Sequence, residues 1–175
     1  NVKVIHTYHG ISDEYGSWIK GYINNLLGRI LNKFSDIYIC VSNGEKQLAL
    51  KRHFSKDANT FVIYNGIPNP HVDAKQGSNK QLKIVTLSRF DYQKNMEGMY
   101  KIASYFKNDK SLQFVWIGDG PDKSKLEEQA KKEGVDINFV GFSKEPMKYL
   151  LESDLYLSTS RFEGLPYGLI EAASV

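Results

Sequence analysis

The clearest structural signal in this sequence is Lys83-Ile-Val-Thr-Leu-Ser-Arg-Phe-Asp-Tyr-Gln-Lys-Asn95. Its first five residues are mostly apolar or β-branched and predict a short buried strand. Arg89 follows this strand almost directly, and Lys94 precedes a spacing of apolar residues that is typical of a helix. A strand that passes through a tight connection into a helix is the repeating unit of α/β proteins with parallel sheets.

The same alternation of strand and helix continues on both sides of this segment. The predicted strands are residues 2–7, 37–41, 60–63, 83–87, 113–117, 138–140 and 155–157. The predicted helices are residues 17–34, 44–53, 95–106, 122–133, 145–152 and a last helix that begins near Leu165 or Pro166. Proline suits the first helical position because its missing N–H is not needed there. The alternation predicts an α/β fold with parallel sheets.

Residues 66–81 interrupt the alternation with a polar stretch that holds two prolines and two glycines. Such a composition is typical of a linker. We therefore expect residues 1–65 to end one α/β domain and residues 82–175 to form most of a second. The sequence opens at Asn1 without a methionine and stops within the last helical pattern. We expect a fragment of a longer protein, inactive by itself, in which both domains are incomplete.

The composition excludes several classes of protein. The chain has 175 residues, 41% of them hydrophobic, which is enough for a real core, and its net charge is +3. This charge permits attraction to anionic substrates or membrane surfaces, but no basic patch interleaved with aromatics indicates nucleic-acid binding. The single cysteine, Cys40, rules out a disulfide within the chain and fits a reducing, cytoplasmic compartment. No apolar run approaches the roughly 18 residues of a membrane span.

The helix predicted at residues 17–34 has a pronounced apolar stripe. Its members are Ile19, Tyr22, Ile23, Leu26, Leu27, Ile30, Leu31 and Phe34. One interpretation is a helix that lies on a membrane surface. We prefer a helix packed on a sheet, because such stripes are usual for the helices of globular domains.

Arg89 and Lys94 lie five residues apart at the carboxyl end of a predicted parallel strand. Ligands of open α/β sheets bind outside these strand ends, so the two cations could hold one diphosphate. Taken alone, they are better explained as solvated loop charges, which are common on protein surfaces.

A second element favours the ligand-binding interpretation. In Arg161-Phe-Glu-Gly-Leu-Pro-Tyr-Gly-Leu-Ile-Glu171, Glu163 precedes the last helix and Glu171 lies one to two turns into it. Helical side chains lean towards the N-terminus, where free N–H groups attract phosphate, so both carboxylates could border that end. A phosphate-binding site flanked by carboxylates, which accept hydrogen bonds from hydroxyl groups, suits a sugar joined to a nucleoside diphosphate. A glycosidase acid–base pair is the alternative, but it has no diphosphate to hold.

Two further patterns narrow the chemistry. Gly118-Asp-Gly-Pro121 follows a predicted strand but is not Gly-x-Gly-x-x-Gly, since residue 123 is lysine, which argues against a dehydrogenase. The sequence contains no Asp-x-Asp and no cluster with metal-ligand spacing, so we expect a reaction without a metal.

Together these motifs resemble glycosyltransferase family 4. The motifs that resemble its C-terminal domain are Arg89 with Lys94, Gly118-Asp-Gly-Pro121 and Glu163-x7-Glu171. Those that resemble the end of its N-terminal domain are Thr7-Tyr-His-Gly10, Val41-Ser42 and Tyr64-Asn-Gly-Ile67. The resemblance implies the GT-B architecture, in which two Rossmann-like domains enclose the active site.

The resemblance also implies an activity: transfer of a hexosyl unit, with retention, from a UDP- or GDP-linked sugar to a glycan or lipid-linked acceptor. The nucleotide sugar is a substrate, so no cofactor is expected. The implied setting is bacterial polysaccharide or lipopolysaccharide biosynthesis, in the cytoplasm and peripheral to the inner face of the membrane. Two alternatives stay open: a nucleotide-sugar epimerase of the same architecture, and a non-catalytic nucleotide-binding domain.

The resemblance assigns roles to individual residues. The catalytic group would be Arg89, Lys94, Glu163 and His9. Arg89 and Lys94 would bind the diphosphate, Glu163 the sugar hydroxyls and Glu171 the ribose. His9 would contact the donor sugar or the acceptor. The donor site would be completed by Gly118, Gly120, Phe142, Gly164 and Leu165.

Overall fold

The computed structural model describes residues 2–11, 18–69 and 81–175, and the chain divides into two compact units. The first unit comprises Asn1–Gly66 with Phe162–Pro166, and the second comprises Ile67–Arg161 with Tyr167–Val175. Most of the predicted linker, residues 70–80, lies outside the described residues. The functional division at residues 65 and 82 therefore stays a prediction.

The first unit contains a three-stranded parallel sheet. Its strands are β1 (Ile5–Tyr8), β2 (Ile37–Cys40) and β3 (Thr60–Val62), in that spatial order. Its helices are α1 (Trp18–Leu31) and α2 (Asn43–Lys51), with a single 3₁₀ turn at Asp57–Asn59. Each predicted strand and helix is present, and Ser17, the predicted start of the first helix, lies outside the described residues.

A small core joins this sheet to α2. Cys40, Ala49 and Phe54 are buried, and the half-buried Tyr8 and Ile11 pack against them. The Tyr8 hydroxyl donates a hydrogen bond to the Phe54 carbonyl at 3.2 Å. Cys40 is fully buried, with none of its surface exposed.

The apolar stripe of α1 is not buried, so the preferred interpretation of a helix packed on a sheet is wrong for these side chains. They are 43–68% exposed. The contacts of α1 use another face, where Gly28 lies against the Phe54 ring and Arg29 Nε donates to the Arg52 carbonyl at 3.2 Å. Within the described ranges, every helix is too short or too polar to cross a lipid bilayer.

The second unit contains a four-stranded parallel sheet. Its strands are β4 (Leu82–Leu87), β5 (Leu112–Ile117), β6 (Ile137–Gly141) and β7 (Leu155–Tyr156), in the spatial order β6-β5-β4-β7. Its helices are α3 (Met96–Tyr105), α4 (Lys123–Glu133), α5 (Pro146–Leu151) and α6 (Tyr167–Ala173). The predicted α/β class with parallel sheets is confirmed.

Both faces of this sheet are covered by helices. Alternate residues of a strand point to opposite faces, so Ile84 joins one core cluster while Val85 joins another. The first cluster holds buried residues of α3 and α4, and the second holds Leu150 of α5 with Ala172 of α6. This two-sided arrangement leaves the carboxyl ends of the strands to be lined by loops.

The loops after β4 and β5 approach each other so closely that only glycine fits between them. Gly118 has a φ of +136°, and a Cβ there would overlap the Ser88 carbonyl oxygen. Gly120 has a φ of +157°, and a Cβ there would overlap the Phe90 carbonyl oxygen. The backbone of the Gly118 loop therefore fixes the position of the turn that begins at Ser88.

We expect Gly118→Ala to lower the free energy of unfolding of the intact protein by about 3 kcal/mol or more, because it combines a positive φ with backbone overlap. Gly134→Ala is the matched control: Gly134 has a φ of +65° with no neighbour within 4 Å of a Cβ, so its cost should be about 1 kcal/mol. Urea denaturation of both variants measures the difference. Equal losses would contradict the role given to the Ser88 contact.

We expect the Cys40 thiol of the folded intact protein to react with a disulfide reagent at pH 8 far more slowly than after unfolding. Burial and then the negative charge of Glu45 raise the pKa of this thiol to about 11, so little thiolate forms. Absorbance of the released thiolate measures the rate. Rapid reaction of the folded protein would show that Cys40 is accessible.

Candidate functional site

Asp91 holds together the turn that carries both predicted diphosphate ligands. Its Oδ1 accepts a hydrogen bond from the Lys94 N–H at 3.0 Å, and its Oδ2 forms an ion pair with Arg89 Nε. The Asp91 side chain is only 14% exposed, whereas that of Arg89 is 67% exposed. A mostly buried acid therefore anchors the turn while the arginine reaches into solvent.

The segment after β7 fixes the same turn from its other side. The Thr159 hydroxyl shares its one proton between the carbonyls of Lys94 at 3.2 Å and Asn95 at 3.0 Å, and Asn95 Nδ2 donates to the Thr159 carbonyl at 3.1 Å. Asn95 has a φ of 52°, a left-handed conformation that asparagine tolerates better than most residues. These bonds set the main-chain position of Lys94 without using its side chain.

The loops after β5 and β6 complete this edge of the second unit. The Phe90 N–H donates to the Asp119 carbonyl at 2.9 Å, and the Gly118 N–H donates to the Gly141 carbonyl at 2.8 Å. Phe142, directly after β6, has 76% of its surface exposed. Arg89, Lys94, Gly118, Gly120 and Phe142 thus lie on three adjoining strand-end loops, as the sequence predicts.

Helix α6, which carries Glu171, packs on the same end of β4. A Cβ on Gly168 would lie 2.9 Å from the Leu87 carbonyl oxygen, so the first turn of α6 packs directly on the end of this strand. The helix begins at Tyr167, directly after Pro166 and close to the predicted start. Gly164 and Leu165 therefore lie in the loop before the helix, and their contacts with a donor stay predictions.

Within the first unit, the segment Phe162–Pro166 lies on the loops that follow all three strands. A Cβ on Gly164 would lie 3.1 Å from the His9 carbonyl carbon, after β1, and 2.7 Å from Val41 Cγ2, after β2. Asn65, after β3, donates from Nδ2 to the Leu165 carbonyl at 2.7 Å. The structure thus brings the loop that holds His9 against the loop that holds Glu163. Both residues were predicted from the sequence as site residues.

Sequence reasoning missed Asp91, Asn65 and Glu45. Glu45 is 5% exposed, and its carboxylate accepts hydrogen bonds from the N–H groups of Val41 at 3.0 Å and Ile11 at 3.2 Å. The signal for Glu45 was available as Ser42-x-x-Glu45, the pattern of a helix capping box. The Ser42 Oγ does accept the Glu45 N–H at 3.2 Å, but the glutamate side chain accepts from Val41, one residue before the cap, and from Ile11 of another loop.

The roles of these residues in binding or catalysis stay predictions. Among residues 2–11, 18–69 and 81–175, no group of three His, Cys, Asp or Glu side chains could hold a metal ion. The expected independence from metals likewise remains to be measured.

Comparisons with known proteins agree with this geometry. The family model described as "Glycosyl transferases group 1" matches residues 70–175, and "Glycosyltransferase Family 4" matches residues 1–69. The amylovoran biosynthesis glycosyltransferase AmsD of Erwinia amylovora is 31% identical over 150 residues, which are 76% of this chain and 42% of AmsD. The O-antigen biosynthesis glycosyltransferase WbnH of Escherichia coli is 28% identical over 171 residues, which are 97% of this chain and 48% of WbnH. The chain thus spans less than half the length of both relatives.

Solved structures show the same fold. Anabaena Alr3699/HepE in complex with UDP-glucose superimposes with a TM-score of 0.78 at 19% identity, over 98% of this chain and 51% of that one. This likeness confirms the predicted GT-B class. With a family model that covers more than half of its residues, this chain belongs to the group 1 glycosyl transferases.

Proposed function

We propose that the intact protein transfers a hexosyl unit, with retention, from a UDP-linked sugar to a glycan or lipid-linked acceptor in polysaccharide biosynthesis. The observation that carries this proposal is the turn on which Asp91 holds Arg89 and Lys94 together at the carboxyl end of β4. Support for the donor comes from HepE, which was solved with UDP-glucose, and support for the pathway comes from AmsD and WbnH, named for amylovoran and O-antigen biosynthesis.

Arg89 and Lys94 stabilise the leaving group in this proposal. Breaking the anomeric bond of the donor leaves negative charge on the diphosphate. Fixed cations aimed at that charge lower the barrier, each by about 3 kcal/mol where water is excluded. The turn is suited to this task because its main chain is bonded to both Asp91 and Thr159, so the cations need little reorganisation.

The carboxylates and Phe142 select the rest of the donor. Glu171 accepts hydrogen bonds from the ribose hydroxyls and Glu163 from the hydroxyls of the sugar, since a carboxylate can accept from two neighbouring hydroxyls. Phe142 and the backbone of the Gly118 and Gly120 loop lie beside the base. His9 faces the sugar or the acceptor. No metal takes part, because the two cations and backbone N–H groups neutralise the diphosphate.

The test of the proposal is incubation of the intact protein with UDP-linked hexoses and lipid-linked or oligosaccharide acceptors. We expect release of UDP together with a product that carries the added sugar with its anomeric configuration retained. Mass spectrometry identifies the product and NMR its anomeric form. A changed sugar still attached to UDP would identify an epimerase, and failure to bind UDP at millimolar concentration would identify a non-catalytic domain.

In the intact protein we expect Lys94→Ala to lower turnover about a hundredfold, because a cation facing the departing phosphate is lost. The main-chain bonds of Lys94 to Asp91 and Thr159 survive the substitution. Lys101→Ala is the control. Lys101 is an exposed lysine of the same unit, and it forms an ion pair with Glu97, four residues earlier in the same helix. Near-normal turnover of Lys94→Ala would remove this lysine from the mechanism.

A further inference from the structure

Glu45 joins two strand-end loops of the first unit through one buried carboxylate. Its Oε2 accepts the Val41 N–H after β2, and its Oε1 accepts the Ile11 N–H after β1, 34 residues away in sequence. The residue is 5% exposed, so these bonds are largely shielded from water. Hydrogen bonds to a charged acceptor are stronger than bonds between neutral groups, particularly where water is excluded.

The same carboxylate also borders the segment that carries Glu163. A Cβ on Gly164 would lie 3.1 Å from Glu45 Oε1, so the bare glycine backbone lies directly against it. Gly10, between His9 and Ile11, has a φ of +146°, and a Cβ there would lie 3.8 Å from the Gly164 nitrogen. Three loops therefore meet at Glu45, and two of them carry predicted sugar-binding residues.

We propose that Glu45 is a positioning residue that fixes the His9-Gly10-Ile11 loop against the Phe162–Pro166 segment. Its task is to keep His9 and Glu163 at the separation that the donor sugar requires. The inference rests on the proposed function, because the sugar-binding roles of His9 and Glu163 come from that proposal. Among the described residues, the Glu45 carboxylate accepts its hydrogen bonds from backbone N–H groups, and we assign it no part in proton transfer.

A carboxylate suits this position better than an amide of the same shape. Two N–H donors approach its two oxygens, and a carboxylate can accept at both. Glutamine offers one oxygen and one NH₂ group, so one of the two N–H groups would face another donor. Glu45→Gln therefore removes one bond while it preserves the volume of the side chain.

The experiment compares hydrogen exchange and turnover in the intact protein. In Glu45→Gln we expect the Ile11 amide to exchange about tenfold faster or more, since its opening is no longer opposed by a charged acceptor. Turnover should fall about tenfold through misplacement of the sugar contacts, while the Kd for UDP stays within about twofold because the diphosphate ligands are untouched. Peptide-level mass spectrometry, the transfer assay and calorimetry measure the three quantities.

Thr60→Val is the matched control. Thr60 is also buried in the first unit, at 3% exposed, and its hydroxyl donates to the Lys56 carbonyl at 2.5 Å. We expect this variant to be less stable. At a temperature where it is folded, its turnover should be normal, and the Ile11 amide should exchange no faster in relation to the amides of β2 than it does in the unsubstituted protein. A general loss of stability is thereby separated from a loosened loop.

Unchanged exchange at Ile11 in Glu45→Gln, or faster exchange with normal turnover, would overturn the inference. If Glu45→Gln does not fold, Gly164→Ala perturbs the same junction from the other side, because its Cβ would lie 2.7 Å from Val41 Cγ2. Lower turnover with UDP affinity retained would support the inference in that variant, and normal turnover would overturn it. A wild-type protein that does not bind UDP would contradict the proposed function instead, so the two failures are distinguishable.

Discussion

The close approach of the loops after β4 and β5 is the constraint that shapes the carboxyl-end edge of the sheet in the second unit. Gly118 lies so near the Ser88 carbonyl that no side chain fits, and its φ of +136° is one that other residues rarely adopt. Because the Phe90 N–H bonds to the Asp119 carbonyl, the start of the Arg89 turn takes its position from this glycine loop. The main chain of this turn is thus held in place, although the Arg89 side chain is 67% exposed.

Most of the architecture could be predicted because apolar runs and turn residues report local structure directly. Residues 83–87 predict a strand, and the structure has one at Leu82–Leu87. The stripe of α1 shows the limit of this reasoning: a 3.6-residue period reveals that a helix has two faces, but not which surface covers the apolar one. Side chains such as Leu26, at 48% exposed, lie on the face that α1 does not use for its own packing contacts.

The candidate site was predictable only in part, for a related reason. Residues predicted to meet a ligand leave a pattern in sequence, as in Arg89 with Lys94 or Glu163 with Glu171. Residues that hold the backbone in place leave little pattern, because their hydrogen-bond partners are distant in sequence. Glu45 bonds to Ile11 across 34 residues, and Asn65 bonds to the Leu165 carbonyl across 100. Such pairs become visible only when the sheet brings their loops together.

Two acidic residues of this chain use their carboxylates to hold the backbone in place. Asp91 and Glu45 are 14% and 5% exposed, and each accepts hydrogen bonds from backbone N–H groups or a neighbouring side chain. A carboxylate used in this way has its oxygens committed to the protein, and is poorly placed to accept the hydroxyls of a sugar. Glu163 and Glu171 are partly exposed, on a loop and on the short α6. Asp91 and Glu45 therefore shape the loops that surround the predicted site, and the sugar-binding and ribose-binding roles of Glu163 and Glu171 stay predictions.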